Sequence, residues 1–368
     1  MLKKCRSCES SNLKLLKEIK NIPLNIWPQK KIFKNNYKNI EIFICKQCGQ
    51  IQLQKMNQLQ LKKMYTGKTY NFDNKKQIIN RINLLNDYYN FKKKKLLDIG
   101  GGTNPFLKYL NIGEKYICDF KFKDELKSKK IKLIKGDFLK NDFRNKFDYI
   151  FMFHALEHLE NTNKYLNKIY NILNKNGKLI IEVPNAFHDL NTHPYYIFFH
   201  MHITIFCYEN LINLLDYNGF KKEKIFNKDD VLFISFRKKI FTNQRQLINY
   251  YNYSVNIVHK IFDNISSINN YFSNRKYKNI AIFGAGGSSN LLVANSPYLK
   301  KNVKYILDND VLKKNLYLIN SKIPIINPSY KILIKLDFII ILNNDHEKFI
   351  PKKLRKNIIK IIDIIDEY

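Results

Sequence analysis

Between residues 75 and 238, short apolar runs alternate with stretches whose apolar positions recur every three or four residues. The runs at 95–99, 115–119, 131–134, 147–153, 177–183 and 231–237 predict strands. Residues 163–173, apolar at Leu166, Ile169, Tyr170 and Leu173, predict a helix. So do residues 208–218, apolar at Leu211, Ile212, Leu214 and Leu215, with Gly219 as the stop. This alternation predicts a mostly parallel sheet covered by helices. Residues 243–273 hold a longer 3.6-residue pattern through Leu247, Tyr250, Ile257, Val258, Ile261, Phe262 and Ile268. They predict one long amphipathic helix, either an interdomain spacer or dimer face, or a helix packed on the next domain. A second strand-to-glycine turn follows at 279–287, with further strands predicted at 303–307, ending at Asp308, and at 337–342. The pattern divides the chain into 1–70, 75–240, the helix 243–273, and a smaller Rossmann-like α/β unit over 276–368.

Composition narrows the classes. The chain has 368 residues, 45% hydrophobic, enough for two or three domains with their own cores. No apolar run approaches the ~20 residues needed to span a bilayer. The start, Met1-Leu2-Lys3-Lys4-Cys5, lacks the apolar stretch of a secretory signal, so a cytoplasmic protein without membrane insertion is expected. The formal net charge of +33 is spread along the whole chain rather than gathered in a patch. That spread argues against a nucleic-acid partner and suits a negatively charged small substrate equally well.

Cys5-Arg-Ser-Cys8 and Cys45-Lys-Gln-Cys48 form a CxxC…CxxC pair. Each knuckle aims two thiolates at one point, and two knuckles close a tetrahedral structural zinc site with no place for water. Cys118 and Cys207 have no such partner and read as small buried hydrophobes.

Leu96-Leu97-Asp98-Ile99-Gly100-Gly101-Gly102 is an apolar strand that ends in an acid and runs into three glycines. Asp119 closes the next strand about 20 residues on, where α/β folds hold a ribose diol. The spacing resembles the opening of a class I S-adenosylmethionine (SAM) fold rather than the GxGxxG of a NAD site. Asp98 then meets the ligand's amino group, and Gly100 and Gly102 admit its backbone approach. Asp137, after Gly136, is an adenine-amino acceptor or a helix N-cap. His154, Glu157 and His158 follow the fourth strand at its carboxyl end, where such sheets carry their sites. HxxEH also suggests a metal, but no third ligand stands at a sensible spacing. After the fifth strand come His200 and His202, which face one side if the segment is extended. A histidine suits proton acceptance, because SAM is already an activated donor and the protein must create the nucleophile.

In this order of modules the chain resembles the SAM-dependent C-methyltransferases of nucleotide-linked deoxysugars. The match spans the cysteine module, the SAM domain and a C-terminal unit carrying Phe283-Gly-Ala-Gly-Gly287, Leu307-Asp308-Asn309-Asp310 and Ile323-Pro324-Ile325. The resemblance implies SAM held by Asp98, Gly100, Gly102, Asp119 and Asp137, with His154 beside it. It places His158 beside the sugar and matches Tyr65 and Tyr70 to a tyrosine-bearing segment. It makes His202, with His200 nearby, the catalytic base. Met201 stands where the family has a glutamate. The implied protein is a monomer or homodimer that methylates a nucleotide-sugar at carbon, or alternatively a sugar O-methyltransferase. An RNA methyltransferase and a catalytically silent SAM-binding scaffold are the remaining readings.

Overall fold

The acid-terminated runs lie at the centre of the molecule. The computed structural model describes residues 2–24, 26–28, 30, 37–54, 75–103, 106–127, 130–239, 247–275, 277–318 and 321–366. The N-terminal segment is an antiparallel sheet of β1 (Leu13–Pro23), β2 (Tyr37–Cys45) and β3 (Ile51–Leu53). Five parallel strands follow: β4 (Lys95–Ile99), β5 (Glu114–Asp119), β6 (Ile131–Lys135), β7 (Phe147–Phe153) and β8 (Leu173–Pro184). β4 and β7 are buried over nearly their whole length, as strands covered on both faces must be. β9 (Thr204–Ile205) leaves this sheet and pairs with β3 as the fourth strand of the N-terminal one. The hairpin β10 (Phe220–Asn227) and β11 (Val231–Lys238) then closes the central sheet by antiparallel pairing to β8.

The central order is β10-β11-β8-β7-β4-β5-β6. Strand order reverses between β4 and β7, which opens a crevice outside their carboxyl ends. This is the doubly wound, mostly parallel α/β arrangement that the alternating apolar runs predict. The C-terminal unit is an all-parallel sheet of β12 (Ile280–Phe283), β13 (Val303–Leu307), β14 (Ile325–Ile326), β15 (Phe338–Ile341) and β16 (Ile358–Lys360), in the order β14-β13-β12-β15-β16.

Three details differ from the sequence reading. β8 begins at Leu173, so the preceding helix, Thr162–Ile172, runs straight into it. β10 lacks a sequence signal, because only Phe220 of its eight residues is buried. The long helix spans Tyr251–Ser273 rather than starting at 243, and residues 240–246 lie outside the described residues. Its buried face is Ile257, Val258, Ile261, Ile268 and Phe272. That face shares one apolar cluster with Ile42 and Ile44 of β2, Phe198 and Ile205, and Ile282 and Leu291 of the C-terminal unit. The helix is therefore core between modules, as a packed helix would be, and not a solvated spacer.

Ile261 is fully buried at the middle of this shared cluster. Ile261→Ala is expected to cost about 2–5 kcal/mol by removing contacts and leaving a cavity. Denaturant unfolding monitored by circular dichroism measures it, and a loss below 1 kcal/mol would show that the helix is not core.

Candidate active site

The glycine turn after β4 is shaped by its own chain. Gly100 adopts φ +86°, a left-handed conformation that favours glycine. A Cβ on Gly101 would fall 2.0 Å from Asp98 Oδ2, and one on Gly102 1.9 Å from the Lys121 carbonyl oxygen. These glycines are thus required by the turn's packing on the neighbouring loop before any ligand is considered. The Gly102 amide donates to Asp119 Oδ2 at 2.9 Å and the Lys121 amide to Oδ1 at 3.2 Å. Asp98 is 2% exposed, and burial followed by the nearby Asp119 charge pushes its carboxyl up to about 8. Asp137 accepts from the Leu139 amide and the Tyr165 hydroxyl, both at 2.9 Å, so it caps a turn rather than a helix. The three acids stand at the carboxyl ends of β4, β5 and β6, along one edge of the sheet.

The end of β7 carries a second set of charges. His154 takes a left-handed conformation, φ +49°, uncommon for a residue with a Cβ. This turn abuts the glycine loop: a Cβ on Gly100 would lie 3.1 Å from Ala155 Cβ. His154 Nε2 lies 2.8 Å from Glu182 Oε1, and its Nδ1 lies 3.6 Å from Glu157 Oε1. Burial disfavours its charge, but the two carboxylates outweigh that and raise the ring to about 10. Glu182 also pairs with Arg81 at 2.7 Å. Neither Glu182 nor Arg81 was singled out from the sequence. An acid embedded in the apolar run Leu179–Val183 was the available signal for Glu182.

Glu157 is the hub of the site. Its side chain is 2% exposed, and neither oxygen has a hydrogen-bond partner. His158 Nε2 lies 3.8 Å and His202 Nε2 4.0 Å from its Oε1. Burial alone would raise this carboxyl, but His158, His154 and His202 together hold it at about 2. His158 Nδ1 bonds to the Met201 carbonyl oxygen at 2.7 Å. That oxygen only accepts, so Nδ1 carries the ring proton and Nε2 is the basic nitrogen. Burial, and then the charge of His158, lowers His202 to about 3 despite Glu157.

The N-terminal module fastens His202 in place. β9 pairs with β3 through Ile51↔Ile205 and Gln52↔Thr204, and the Leu53 amide donates to the Ile203 carbonyl at 2.9 Å. Arg6, inside the first CxxC, donates from one guanidinium nitrogen to the carbonyls of Leu53 (2.8 Å) and Ile203 (3.1 Å). Glu160 balances its charge at 3.0 Å. Cys5 and Cys48 sulfurs are 3.7 Å apart and those of Cys8 and Cys45 3.5 Å, and the four sulfurs gather in one group that could hold a metal. Zinc bonds of about 2.3 Å in a tetrahedron place sulfurs about 3.8 Å apart, so the spacing fits. Hydrogen bonding with Cys48 and Cys5 lowers the Cys45 thiol, while the same contacts raise theirs.

The structure thus gathers Glu157, His154, His158 and His202, and places His200 elsewhere. Residues 199–202 form a turn, closed by the His202 amide on the Phe199 carbonyl, so His200 and His202 do not share a face. His200 is 2% exposed, lies 3.2 Å from the Ile22 carbonyl through Nε2, and is lowered to about 4 by burial. It packs the N-terminal sheet and is no part of the Glu157 cluster. Tyr65 and Tyr70 lie outside the described residues. Cys118 and Cys207 are buried and unbridged, as expected.

The two outlying rings give a direct check. His202 should stay neutral as pH falls through the ordinary histidine value of 6.5, whereas His154 should stay cationic as pH rises through it. Nitrogen-15 imidazole spectra across that range read both. A His202 that titrates near 6.5 would overturn the buried placement of its ring.

No curated protein matches the chain. Residues 70–225 match a methyltransferase domain family, and residues 234–361 match the C-methyltransferase C-terminal domain family. Among solved structures, the chain is similar to the Burkholderia thailandensis 1,6-didemethyltoxoflavin-N1-methyltransferase with bound 1,6-didemethyltoxoflavin and S-adenosylhomocysteine. That likeness has 14% identity and a TM-score of 0.41, over 54% of this chain and 96% of that one. A Pyrococcus horikoshii protein shares 18% identity, with a TM-score of 0.39, over 48% and 99%. The CcbJ methyltransferase of Streptomyces caelestis shares 10%, with a TM-score of 0.37, over 44% and 90%. No helix among the described residues is long and apolar enough to cross a membrane. With both domain families matched in sequence, the chain is a SAM-dependent methyltransferase enzyme with a C-methyltransferase C-terminal domain.

Proposed function

We propose that the enzyme transfers a methyl group from SAM to a carbon of a nucleotide-linked keto-deoxysugar, in the cytoplasm. The observation that carries this reading is the Glu157–His158–His202 cluster beside the glycine turn, in a chain with a C-methyltransferase C-terminal domain. SAM would lie along the edge of β4, β5 and β6. Asp98 would meet its ammonium group, Asp119 the ribose diol and Asp137 the adenine amine, with Gly100 and Gly102 forming the turn. Zinc would occupy the four cysteines and hold the knuckle that carries Arg6.

The chemistry follows from the cluster. A ketone acidifies the neighbouring carbon of the sugar. His202 Nε2 takes that proton, and the electron pair left behind forms an enolate. Glu157 stabilises the imidazolium that results, and a tyrosine, or His158 in its doubly protonated form, donates to the enolate oxygen. The enolate carbon attacks the methyl group, the carbon–sulfur bond breaks, and S-adenosylhomocysteine leaves. The imidazolium returns its proton to solvent. General-base catalysis of this kind contributes about 10²–10⁴-fold.

Two measurements test the reading. SAM supplies a cation to Asp98, whose buried carboxyl sits near 8 when unpaired. Ionisation is then favoured in the complex, so binding at pH 7 should release a proton. Calorimetry in buffers of different ionisation enthalpy detects that release. Asp98→Asn should abolish it and weaken SAM about 10–100-fold, the loss of a charged hydrogen bond. Proton release that persists in the variant would remove Asp98 from the ammonium site.

The second measurement incubates enzyme, SAM and nucleotide-linked 4-keto sugars in deuterated water, with products read by mass spectrometry. The expected product is a C-methylated keto-sugar, with deuterium exchange at the adjacent carbon that His202→Asn slows 100-fold or more. A product methylated at a hydroxyl would replace C-methylation with O-methylation. Full turnover by His202→Asn would remove the base assignment.

A further inference from the structure

Glu157 is a carboxylate buried without a donor. Neither oxygen accepts a hydrogen bond, although two imidazoles aim Nε2 at the same oxygen, Oε1, from 3.8 and 4.0 Å. Those separations exceed hydrogen-bond length. The three ligand atoms of Glu157, His158 and His202 all lie within 4.8 Å of one another. Bonds of about 2.0–2.2 Å to a common tetrahedral centre set ligand atoms about 3.4 Å apart, so side-chain rotations would have to close the Glu157 pairs by about 0.4–0.6 Å and the two rings by up to about 1.4 Å. His158 already has the arrangement of a metal-bound histidine: its Nδ1 proton is held by the Met201 carbonyl oxygen, which leaves Nε2 basic and oriented. On the side of the cluster away from His158, a cavity of about 10 Å³ adjoins Glu157 and His202, walled by Asp189, Ala186, Thr204 and Phe206. It has room for one water or ion.

We propose that Glu157, His158 and His202 form a binding site for one divalent transition cation. Two imidazole nitrogens and one carboxylate oxygen select a borderline ion of the zinc, cobalt or nickel kind over magnesium or calcium. The sequence offered only HxxEH; the third ligand arrives through the pairing of β9 with β3. Unlike the four cysteines, three protein ligands leave a coordination position open. The ion takes the lone pair on His202 Nε2. In the proposed reaction that same pair removes the substrate proton, so cation and proton compete and the loaded enzyme is inhibited. The inhibition rests on the base assignment above; the binding does not.

The test titrates cobalt(II) into the full-length protein with zinc in its cysteine site. The expected result is one further equivalent per chain. It should give visible d–d absorption without the near-ultraviolet charge transfer that thiolates produce, and should be lost in His158→Ala and His202→Asn. SAM binding, read by calorimetry, reports whether each variant has folded, and either folded variant carries the test. No further equivalent, or one that survives in the folded variants, overturns the site. Methyl transfer is then assayed with and without cobalt. Inhibition that a chelator reverses supports the competition. Binding that leaves methyl transfer unchanged keeps the cation site and overturns His202 as the base.

Discussion

The Glu157 cluster depends on a pairing two residues long. Thr204 and Ile205 leave the methyltransferase domain and join β3 of the cysteine module, and the turn just before them carries His202. Without that pairing the turn that carries His202 would lose its anchor to the N-terminal sheet. Its neighbours reinforce it: the Leu53 amide and the Arg6 guanidinium both hold the Ile203 carbonyl. The Thr162 hydroxyl in turn holds the Arg6 carbonyl at 2.5 Å, from the helix that follows the Glu157 turn. Arg6 lies between two of the four cysteines. A metal at those cysteines would therefore act on the site without touching it, by fixing the knuckle that holds the His202 turn.

Electrostatics imposes the second constraint. A carboxylate as deeply buried as Glu157 carries a large desolvation penalty unless positive charge or ligation offsets it. The chain surrounds it with three imidazoles and leaves it without a single amide or hydroxyl donor. That choice makes the site responsive. A fully hydrogen-bonded carboxylate would gain little when a neighbouring histidine accepts a proton. An undonated one gains a compensating charge at that moment. His154, held cationic between Glu157 and Glu182, keeps the resting site near balance.

The central domain was legible because parallel strands buried on both faces read as continuous apolar runs, and their terminal acids mark the ligand edge. The C-terminal sheet was legible for the same reason. The N-terminal sheet was not: β1 exposes most of its length, and its alternation is broken by register shifts at Leu15/Lys17 and Ile19/Ile22. β9 is too short to carry any period. The cluster was half legible. Glu157 and His158 share one motif, but their meeting with His202 depends on where β9 docks, which no local pattern records. His200 misled because an extended segment was assumed where the chain makes a turn.

Met201 shows why a residue-by-residue comparison with a family can mislead about function. A glutamate there would bring charge to the site, and methionine brings none. Yet Met201 still does one thing the cluster needs: its carbonyl fixes the tautomer of His158. A main-chain oxygen performs that task whatever side chain follows. The charge is present on Glu157, one turn after β7 and facing the same two rings. Methionine at this position therefore leaves one wall of the site without a carboxylate but does not leave the histidines unoriented or unopposed, and the proton chemistry proposed for them needs no charge at position 201.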